Sequence, residues 1–278
     1  MVRKAVFLDL DGTLANGVGT VPDSAREAVA QARANGHLVF LCTGRVRNEL
    51  WPDILSVGFD GVIASSGGQL EIGGDAVPPP FMAVDDVRAV VDYFAGHGVD
   101  FYLNAGSGLY PSRDCWPRAR TMLLGPLTDP DHIAQAEKTL AKFEAVTVMS
   151  DDLARPDVLK ICFLDSGVPF HQIAAEFGDR FELTQAVVPQ FGPDSGELTI
   201  PGITKLAAIQ TVLDRFGVPI EDTVAYGDGM NDVPMIEYVH TGVAMGNALP
   251  EVRQAADQVT GTPDEDGLRT SFTSLGLI

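Results

Sequence analysis

The chain has 278 residues, enough for one large or two modest domains, and 45% of them are hydrophobic, as in ordinary globular proteins. A formal net charge of −19 at pH 7 excludes long-range attraction to nucleic acid or to an anionic membrane surface, so neither is expected as a partner. No apolar run approaches the length of a transmembrane helix, so none is expected. Val2-Arg3-Lys4 leads straight into a predicted short strand, so no signal peptide is expected either. Three widely separated cysteines favour neither a disulfide framework nor a zinc site, and a cytoplasmic protein is expected.

The first 80 residues predict strands that alternate with helices, which is typical of a parallel sheet covered on both faces. In chain order we predict a strand ending at Asp9, a helix over about 23–34, a strand over 37–42, a helix from near Val46, a strand over 61–64 and a β-hairpin over 69–77. The sequence Pro78-Pro79-Pro80 fits neither a helix interior nor a central strand and therefore predicts a domain boundary.

Beyond the prolines the pattern changes and then returns. We predict a helix over 84–96, a strand over 100–104, an irregular stretch over 109–117, a helix over 131–143, strands over 145–150 and 158–164, a helix over 170–177 and a strand over 181–187. Alternation then resumes with a helix ending at Gly217, a strand over 223–226, a helix over 231–239, a strand over 242–245, a helix over 250–256 and a last helix from 264. The prediction is an α/β core of residues 1–80 and 189–278, interrupted by an α+β domain of residues 81–188.

Two carboxylates, Asp9 and Asp11, follow the first strand two residues apart, and Gly12 after them lets the backbone turn. Extended backbone points alternate side chains to one side, so the two carboxylates are expected to converge. Such a pair suits a nucleophile with a proton donor, or the binding of a metal, and the residues alone leave both interpretations open.

Three further polar patches lie where ligands bind in parallel sheets, beyond the carboxyl ends of strands. Thr43-Gly44-Arg45 offers a hydroxyl and free backbone N–H groups to an anion, although a helix-capping threonine would look the same. Lys205, considered alone, is most simply a solvated surface lysine. The segment 227–232 holds Asp228, Asn231 and Asp232 close to glycines, which is more polar groups than a capped turn needs.

In this order and spacing the four patches resemble the motifs of the haloacid dehalogenase superfamily of phosphatases. The interrupted layout is similar to its Cof-type branch, which has a Rossmann-like core and an inserted α/β cap. Asp9–Leu14 matches the first motif, Thr43-Gly44-Arg45 the second, Lys205 the third and 227–232 the fourth, while 244–248 and 264–267 match other stretches typical of the branch. The chain departs from the branch at Ser66-Gly67-Gly68, where Asn-Gly-Ala is usual, at Leu206, where glycine is usual, and at Leu198-Thr199-Ile200, where Leu-Glu-Ile is usual.

The resemblance implies a Mg²⁺-dependent phosphatase acting on a small phosphorylated metabolite, and family analogy favours a sugar phosphate. It makes Asp9 the nucleophile that becomes an aspartyl phosphate and Asp11 the acid and base. It assigns the phosphoryl group to Thr43, Gly44, Lys205 and Asn231, and the metal to Asp9, Asp11 (through its backbone carbonyl), Asp228 and Asp232. Mg²⁺ suits carboxylate and phosphate oxygens, and no histidine or cysteine falls in the motifs. The implied mobile cap would choose the leaving group, with Arg45, Lys160, Arg113 and Asp114 as candidate contacts.

Three other functions stay open at this point. A phosphosugar mutase with similar motifs would isomerise a sugar phosphate and release little free phosphate. A non-catalytic phosphate-binding protein would have lost its nucleophile or acid, and both are present here. A phosphoaspartate domain like that of P-type ATPases is disfavoured, because those proteins lack the acid that Asp11 supplies. Nothing in the sequence bears on the oligomeric state.

Overall fold

The computed structural model describes residues 2–17, 19–185 and 191–278. The chain divides into two compact units. The core unit comprises Met1–Val46, Leu50–Pro78 and Ile203–Ile278, and the inserted unit comprises Pro79–Gly202 together with Arg47–Glu49. Within the described ranges, none of the helices is long and apolar enough to cross a membrane.

The described residues form thirteen strands and ten α-helices. The strands are β1 Ala5–Leu8, β2 Leu38–Cys42, β3 Gly61–Ala64, β4 Gln69–Ile72, β5 Asp75–Val77, β6 Phe101–Ala105, β7 Gly108–Pro111, β8 Val158–Phe163, β9 Glu182–Gln185, β10 Gly196–Thr199, β11 Thr223–Gly227, β12 Thr241–Ala244 and β13 Gln258–Val259. The helices are α1 Asp23–Ala34, α2 Pro52–Leu55, α3 Val84–His97, α4 Cys115–Leu124, α5 Pro130–Ala145, α6 Phe170–Phe177, α7 Lys205–Phe216, α8 Val233–Tyr238, α9 Pro250–Ala255 and α10 Gly267–Ser274.

The core unit is built on an eight-stranded sheet in the order β13-β12-β11-β1-β2-β3-β4-β5. Its first six strands in this order run parallel, and the hairpin of β4 and β5 adds two antiparallel strands at one edge. Strand β1 pairs with β2 on one side and with β11 on the other. Every residue of β1 and β2 is buried, as expected for parallel strands covered on both faces. The predicted α/β fold is therefore confirmed.

Two apolar layers enclose the core sheet. On one face, Leu8 and Leu41 belong to a cluster with Val29 of α1 and Phe272 of α10. On the other face, Phe7 and Phe40 stack with their ring centroids 5.3 Å apart, in a cluster with residues of α7 and α8. Since successive strand residues point to opposite faces, the apolar runs of β1 and β2 supply both layers.

Before Pro78, the chain departs from the sequence prediction mainly after Thr43. A 3₁₀ turn, Arg47–Glu49, and the short α2 replace the helix that was expected from near Val46. Pro52 stands at the first position of α2 and has no N–H to donate, so a continuous helix cannot run through it. Near the end of the chain, the last helix begins at Gly267 after a separate 3₁₀ turn, and the two-residue strand β13 was not predicted.

The inserted unit contains a five-stranded antiparallel sheet in the order β7-β6-β8-β10-β9. Helices α3 and α6 cover one face, where Phe94 and Phe177 pack in a cluster with Leu103, Ile161 and Leu198. The alternation of buried apolar residues along β6, β8 and β10 thus supplies a core of its own.

Several elements of the inserted unit differ from the prediction. The stretch expected to be irregular, 109–117, contains most of β7 and the start of α4. The strand expected over 145–150 is limited to a single bridge between Leu109 and Thr147, because Val148 and Met149 turn to the solvent. Strand β9 ends at Gln185, and the rest of the strand predicted over 181–187 lies outside the described residues.

Strand β10 was missed, and it bears on the domain boundary. The sequence boundary of 188 precedes this strand, yet β10 pairs with β8 and β9, so the inserted unit runs to Gly202. Gly196 obscured the strand, since glycine is depleted in strands. In the structure a Cβ at Gly196 would lie 2.7 Å from the Phe163 ring, which explains the glycine by close packing.

Candidate active site

Three parallel strands of the core unit end side by side, and each is followed by a polar residue. Asp9 follows β1, Thr43 follows β2 and Asp228 follows β11. The N–H of Asp9 donates to the carbonyl of Tyr226 at 3.0 Å, and the N–H of Thr43 donates to Ile63 at 2.8 Å. The sheet's own hydrogen bonds therefore fix where these side chains begin.

A buried ion cluster lies beyond β1. The Lys205 ammonium donates to Asp9 Oδ1 at 2.6 Å and to Asp232 Oδ1 at 2.7 Å. The three residues are 4%, 6% and 1% exposed, respectively. Burial, and then the nearby charge of Asp232, raise the pKa of Asp9 well above its usual value, while Lys205 opposes the rise. Burial also disfavours the charge on Lys205, but the carboxylates of Asp232 and Asp9 outweigh this effect and hold the pKa of Lys205 above its usual value.

Helix α7 places Lys205 in this cluster. Thr204 precedes the helix, and its hydroxyl accepts a hydrogen bond from the N–H of Ala207 at 3.1 Å, as an N-cap does. Lys205 is therefore the first residue of the helix and is buried, which overturns the simple expectation of a solvated surface lysine.

Asp228 is partly buried, and its carboxylate accepts hydrogen bonds from one hydroxyl and one amide side chain. Its Oδ1 accepts a hydrogen bond from the Thr13 hydroxyl at 2.9 Å. Burial raises the pKa of Asp228 to about 6, although the Thr13 hydrogen bond opposes this rise. Asp232 orders the same loop, because its Oδ2 accepts from the N–H groups of Asp228 and Gly229, each at 3.0 Å.

The donor set of Asp9, Asp228 and Asp232 fits a divalent cation. One carboxylate oxygen from each residue lies within 4.8 Å of the others. Lys205 balances only one of these three carboxylates, and two like charges 4 Å apart cost roughly 4 kcal/mol at an effective dielectric of about 20. A hard divalent ion with oxygen ligands would offset this repulsion. Burial is the main cause of the raised pKa values of Asp9 and Asp228, and the neighbouring charge of Asp232 adds to it in both.

Asp11 directs its carboxylate away from that cluster, to Arg45. Arg45 Nε donates to Asp11 Oδ2 at 2.8 Å and its Nη2 donates to Oδ1 at 2.5 Å, which is a bidentate ion pair. The Asp11 side chain is 50% exposed and that of Arg45 is 21% exposed. The N–H of Arg45 also donates to the Thr43 hydroxyl at 3.1 Å. Arg45, predicted as a leaving-group contact, is thus engaged with the predicted acid and base.

A left-handed turn supports the second motif from behind. Ser65 and Ser66 have φ values of 50° and 53°, which non-glycine residues seldom adopt. In this conformation the N–H of Ser65 donates to the carbonyl of Arg45 at 2.7 Å, and the N–H of Ser66 donates to the carbonyl of Thr43 at 3.0 Å. The departure from Asn-Gly-Ala that begins at Ser66 therefore falls on backbone that holds Thr43 and Arg45.

Two glycines allow the motifs to approach closely. Gly12 has a φ of +87°, and a Cβ there would lie 2.1 Å from Asp228 Oδ2. Gly67 has a φ of +108°, and a Cβ there would lie 2.3 Å from the carbonyl oxygen of Thr204. Both positions need glycine for conformation and for space.

Asn247 lies in the stretch 244–248 but was not among the predicted site residues. Asn247 Nδ2 donates to the carbonyl of Gly12 at 2.9 Å and to Asp228 Oδ2 at 3.2 Å. The signal was its position just beyond the carboxyl end of β12, at the same edge of the sheet as the other motifs.

The remaining predicted residues are placed as follows. Gly44 is partly exposed in the second motif, and Asn231 is exposed in the 3₁₀ turn Met230–Asp232. Lys160 belongs to the inserted unit, where it is buried in β8 and donates to Glu197 Oε1 at 3.0 Å. Arg113 and Asp114 are exposed residues of the same unit, just before α4.

Comparisons with known proteins match all or nearly all of the chain. A family model described as haloacid dehalogenase-like hydrolase matches residues 6–271. The protein YkrA of Bacillus subtilis strain 168 is 29% identical over 100% of both chains. The 5-amino-6-(5-phospho-D-ribitylamino)uracil phosphatase YcsE of the same organism is 26% identical over 95% of this chain and 92% of its own. The solved structure of the HAD subclass IIB sugar phosphatase BT4131 is 25% identical, with a TM-score of 0.75, over 99% of this chain and 100% of that one.

Proposed function

Because the chain belongs to the haloacid dehalogenase-like hydrolases and is a phosphatase of their Cof type, we propose that it uses Mg²⁺ to hydrolyse a small sugar phosphate. The family membership expected from the motifs is confirmed. The observation that carries the proposal is the buried cluster of Asp9, Asp232 and Lys205, with Asp228 beside it, at the carboxyl edge of the core sheet.

Asp9 is the nucleophile in this proposal. Its carboxylate oxygen attacks phosphorus, the bond from phosphorus to the leaving oxygen breaks, and an aspartyl phosphate forms. The fixed backbone hydrogen bond from Asp9 to Tyr226 and the ion pair with Lys205 support a single orientation of the attacking group. Water then attacks the aspartyl phosphate, which regenerates the Asp9 carboxylate and releases inorganic phosphate.

Asp11 moves the protons in both steps. It donates a proton to the leaving alkoxide in the first step and takes one from the attacking water in the second, so the residue returns to its starting state. Its partial exposure supports this role, because a group that exchanges protons with substrate and water has to be accessible to both.

Phosphoryl oxygens are held by Thr43, Gly44, Lys205 and Asn231. Lys205 supplies positive charge, and the Thr43 hydroxyl and the backbone N–H groups after β2 supply neutral donors. Asp9, Asp228 and Asp232 would hold Mg²⁺, and the family resemblance adds the backbone carbonyl of Asp11 as a further ligand. When bound, the ion supplies positive charge that offsets the carboxylates and the phosphate dianion.

A sugar phosphate is the proposed substrate class. Support comes from the names of two similar proteins, one a phosphatase of a phosphoribityl compound and the other a sugar phosphatase. We propose that the inserted unit supplies contacts to the leaving group through Lys160, Arg113 and Asp114. The Lys160–Glu197 ion pair offers a donor and an acceptor side by side, which is the pairing that sugar hydroxyls require.

The test is phosphate release from a panel of sugar, polyol and other metabolite phosphates, with Mg²⁺ and after chelation. We expect Mg²⁺-dependent release that Asp9→Asn abolishes. Release of no phosphate from any compound by the wild type would overturn the proposal. Isomerised sugar phosphate with little free phosphate would favour a mutase instead, and tight phosphate binding without turnover would favour a binding protein.

A further inference from the structure

The loop after β12, residues 245–249, makes several hydrogen bonds to the fourth motif. We call it the β12 loop. The N–H of Met245 donates to the carbonyl of Gly227 at 3.0 Å, and the N–H of Leu249 donates to the carbonyl of Asp228 at 3.2 Å. Between these two backbone contacts, Asn247 Nδ2 reaches the carboxylate of Asp228 itself at 3.2 Å. The β12 loop therefore contacts both the backbone and the side chain of Asp228.

The Asp228 carboxylate is held from two sides. Thr13 donates to Oδ1 and Asn247 donates to Oδ2, so each oxygen has one fixed donor. A carboxylate oxygen can accept more than one partner, which leaves lone pairs on both oxygens for a cation. Since Asn247 also donates to the carbonyl of Gly12, it ties the first motif to the fourth.

Arg253, in α9, fixes the shape of the β12 loop. Its Nε donates to the carbonyl of Ala248 at 3.0 Å, and its Nη2 donates to the carbonyl of Gly246. These two carbonyls flank Asn247 on either side. Gly246 is itself tightly enclosed, because a Cβ there would lie 2.8 Å from the backbone nitrogen of Thr262. One guanidinium thus holds the backbone from which the Asn247 amide extends.

We propose that Asn247 is a positioning residue for the metal ligand Asp228, and that Arg253 acts through it by fixing the β12 loop. The inference rests on the proposed function, in which Asp228 holds Mg²⁺. Hydrogen bonds from outside the coordination sphere orient the ligands, and their removal typically lowers metal affinity by roughly 10- to 100-fold. Without the hydrogen bond from Asn247, the Asp228 carboxylate can rotate about its terminal bond. It would lose that conformational entropy when the ion binds, and the affinity for the ion would fall.

The experiment measures divalent metal binding by the full chain, without substrate. Wild type, Asn247→Ala and Arg253→Gln are stripped with chelator and titrated with Mg²⁺ and with Mn²⁺ by calorimetry, and the melting temperature is followed in parallel. Asn16→Ala is the matched control, because Asn16 is another asparagine close to the first motif that contacts a different set of residues. Its amide donates to Asp264 and accepts from the N–H of Thr20. We expect Asn247→Ala to raise the Kd about 10- to 100-fold. Arg253→Gln should raise it by less, and Asn16→Ala should leave it unchanged.

The outcomes separate this inference from the proposed function. If Asn247→Ala and Arg253→Gln lower the melting temperature of the metal-free protein but bind metal like the wild type, the β12 loop is only structural and the inference is overturned. Equal weakening in Asn16→Ala would also overturn it, because the effect would then be general. If the wild type binds neither ion, both the inference and the metal-dependent function are overturned. If the wild type binds metal and Asn247→Ala has the same Kd, only the inference is overturned.

Discussion

Removal of the Arg45 guanidinium should impair the protonation of the leaving group more than any other step. Arg45→Gln leaves a shorter, uncharged polar side chain and loses both the charge and the bidentate geometry of the ion pair with Asp11. A hydrogen bond to a charged group contributes about 1.5–3 kcal/mol when well formed. Because the Asp11 side chain is 50% exposed, water competes with Arg45 for its carboxylate, and we expect the ion pair to contribute only about 1–2 kcal/mol. Asp11 enters the first step with a proton and becomes a carboxylate as it gives that proton up, so its ion pair with Arg45 strengthens in the transition state. Loss of that energy corresponds to roughly 5- to 30-fold in rate.

The assay compares two leaving groups. An alkyl phosphate expels an alkoxide that needs a proton, while p-nitrophenyl phosphate expels a phenolate that is stable without one. We expect Arg45→Gln to lower kcat/KM for the alkyl phosphate by the amount above and to change that for the aryl phosphate little. Arg45→Lys, which keeps the charge, should recover part of the loss. Arg45→Gln added to Asp11→Asn should cost little more than Asp11→Asn alone, since both remove the same function.

Two results would refute this reasoning about Arg45. Equal losses on the alkyl and the aryl phosphate would show that Arg45 does not act through the acid. Fully additive effects of Arg45→Gln and Asp11→Asn would show that the two residues act independently, as a direct leaving-group contact by Arg45 would.

Three further predictions concern the same edge of the core sheet. Ser66→Gly should raise the free energy of unfolding, measured in urea, by up to about 1 kcal/mol. Left-handed backbone costs a non-glycine residue about 1–2 kcal/mol, and the larger conformational entropy that glycine loses on folding cancels part of the gain. An unchanged free energy of unfolding would mean that the turn is not strained. Gly12→Ala should abolish Mg²⁺ binding in a calorimetric titration, since its Cβ would lie 2.1 Å from Asp228 Oδ2, whereas Gly19→Ala, with φ +77° but open space around it, should lose only stability. In metal-free protein the raised pKa of Asp228, about 6, means that the folded state binds its proton more tightly than the unfolded state, so this residue destabilises the fold increasingly as pH rises from about 4 to 6. Asp228→Asn should therefore melt higher than wild type at pH 7 with chelator, with a smaller difference at pH 4.5 and a reversed order when Mg²⁺ is added; the same melting difference at both pH values would contradict the electrostatic account.

The core unit was more predictable from sequence than the inserted unit, for a physical reason. Buried parallel strands such as β1 and β2 are continuous apolar runs, and glycines or short helices separate one strand from the next. Local composition is therefore enough to find them. In the inserted unit, β10 begins with Gly196 and is a strand only because β8 and β9 pair with it on either side. Long-range pairing of that kind overrides local propensity and leaves no local pattern to detect.

The site shows the same division. Motif spacing predicted that Asp9, Lys205, Asp228 and Asp232 would gather at one edge, and in the structure they do. Which partner each side chain takes was not predictable, because it depends on side-chain directions across the loops. The bidentate Asp11–Arg45 pair is one such case. The amide of Asn247 is another, since it joins residues more than 200 positions apart in the chain.

The order of strands in the core sheet has a consequence for synthesis on the ribosome. Strand β1 lies between β2, which follows it closely in the chain, and β11, which ends only at Gly227. At about 5–20 residues per second, roughly 10–45 s separate the emergence of β1 from that of its second neighbour. During this interval one edge of a buried, apolar strand is unpaired and open to other chains. The inserted unit is nearly contiguous in sequence and is complete first, so we expect released chains that end before residue 223 to have a folded inserted unit and an aggregation-prone half sheet.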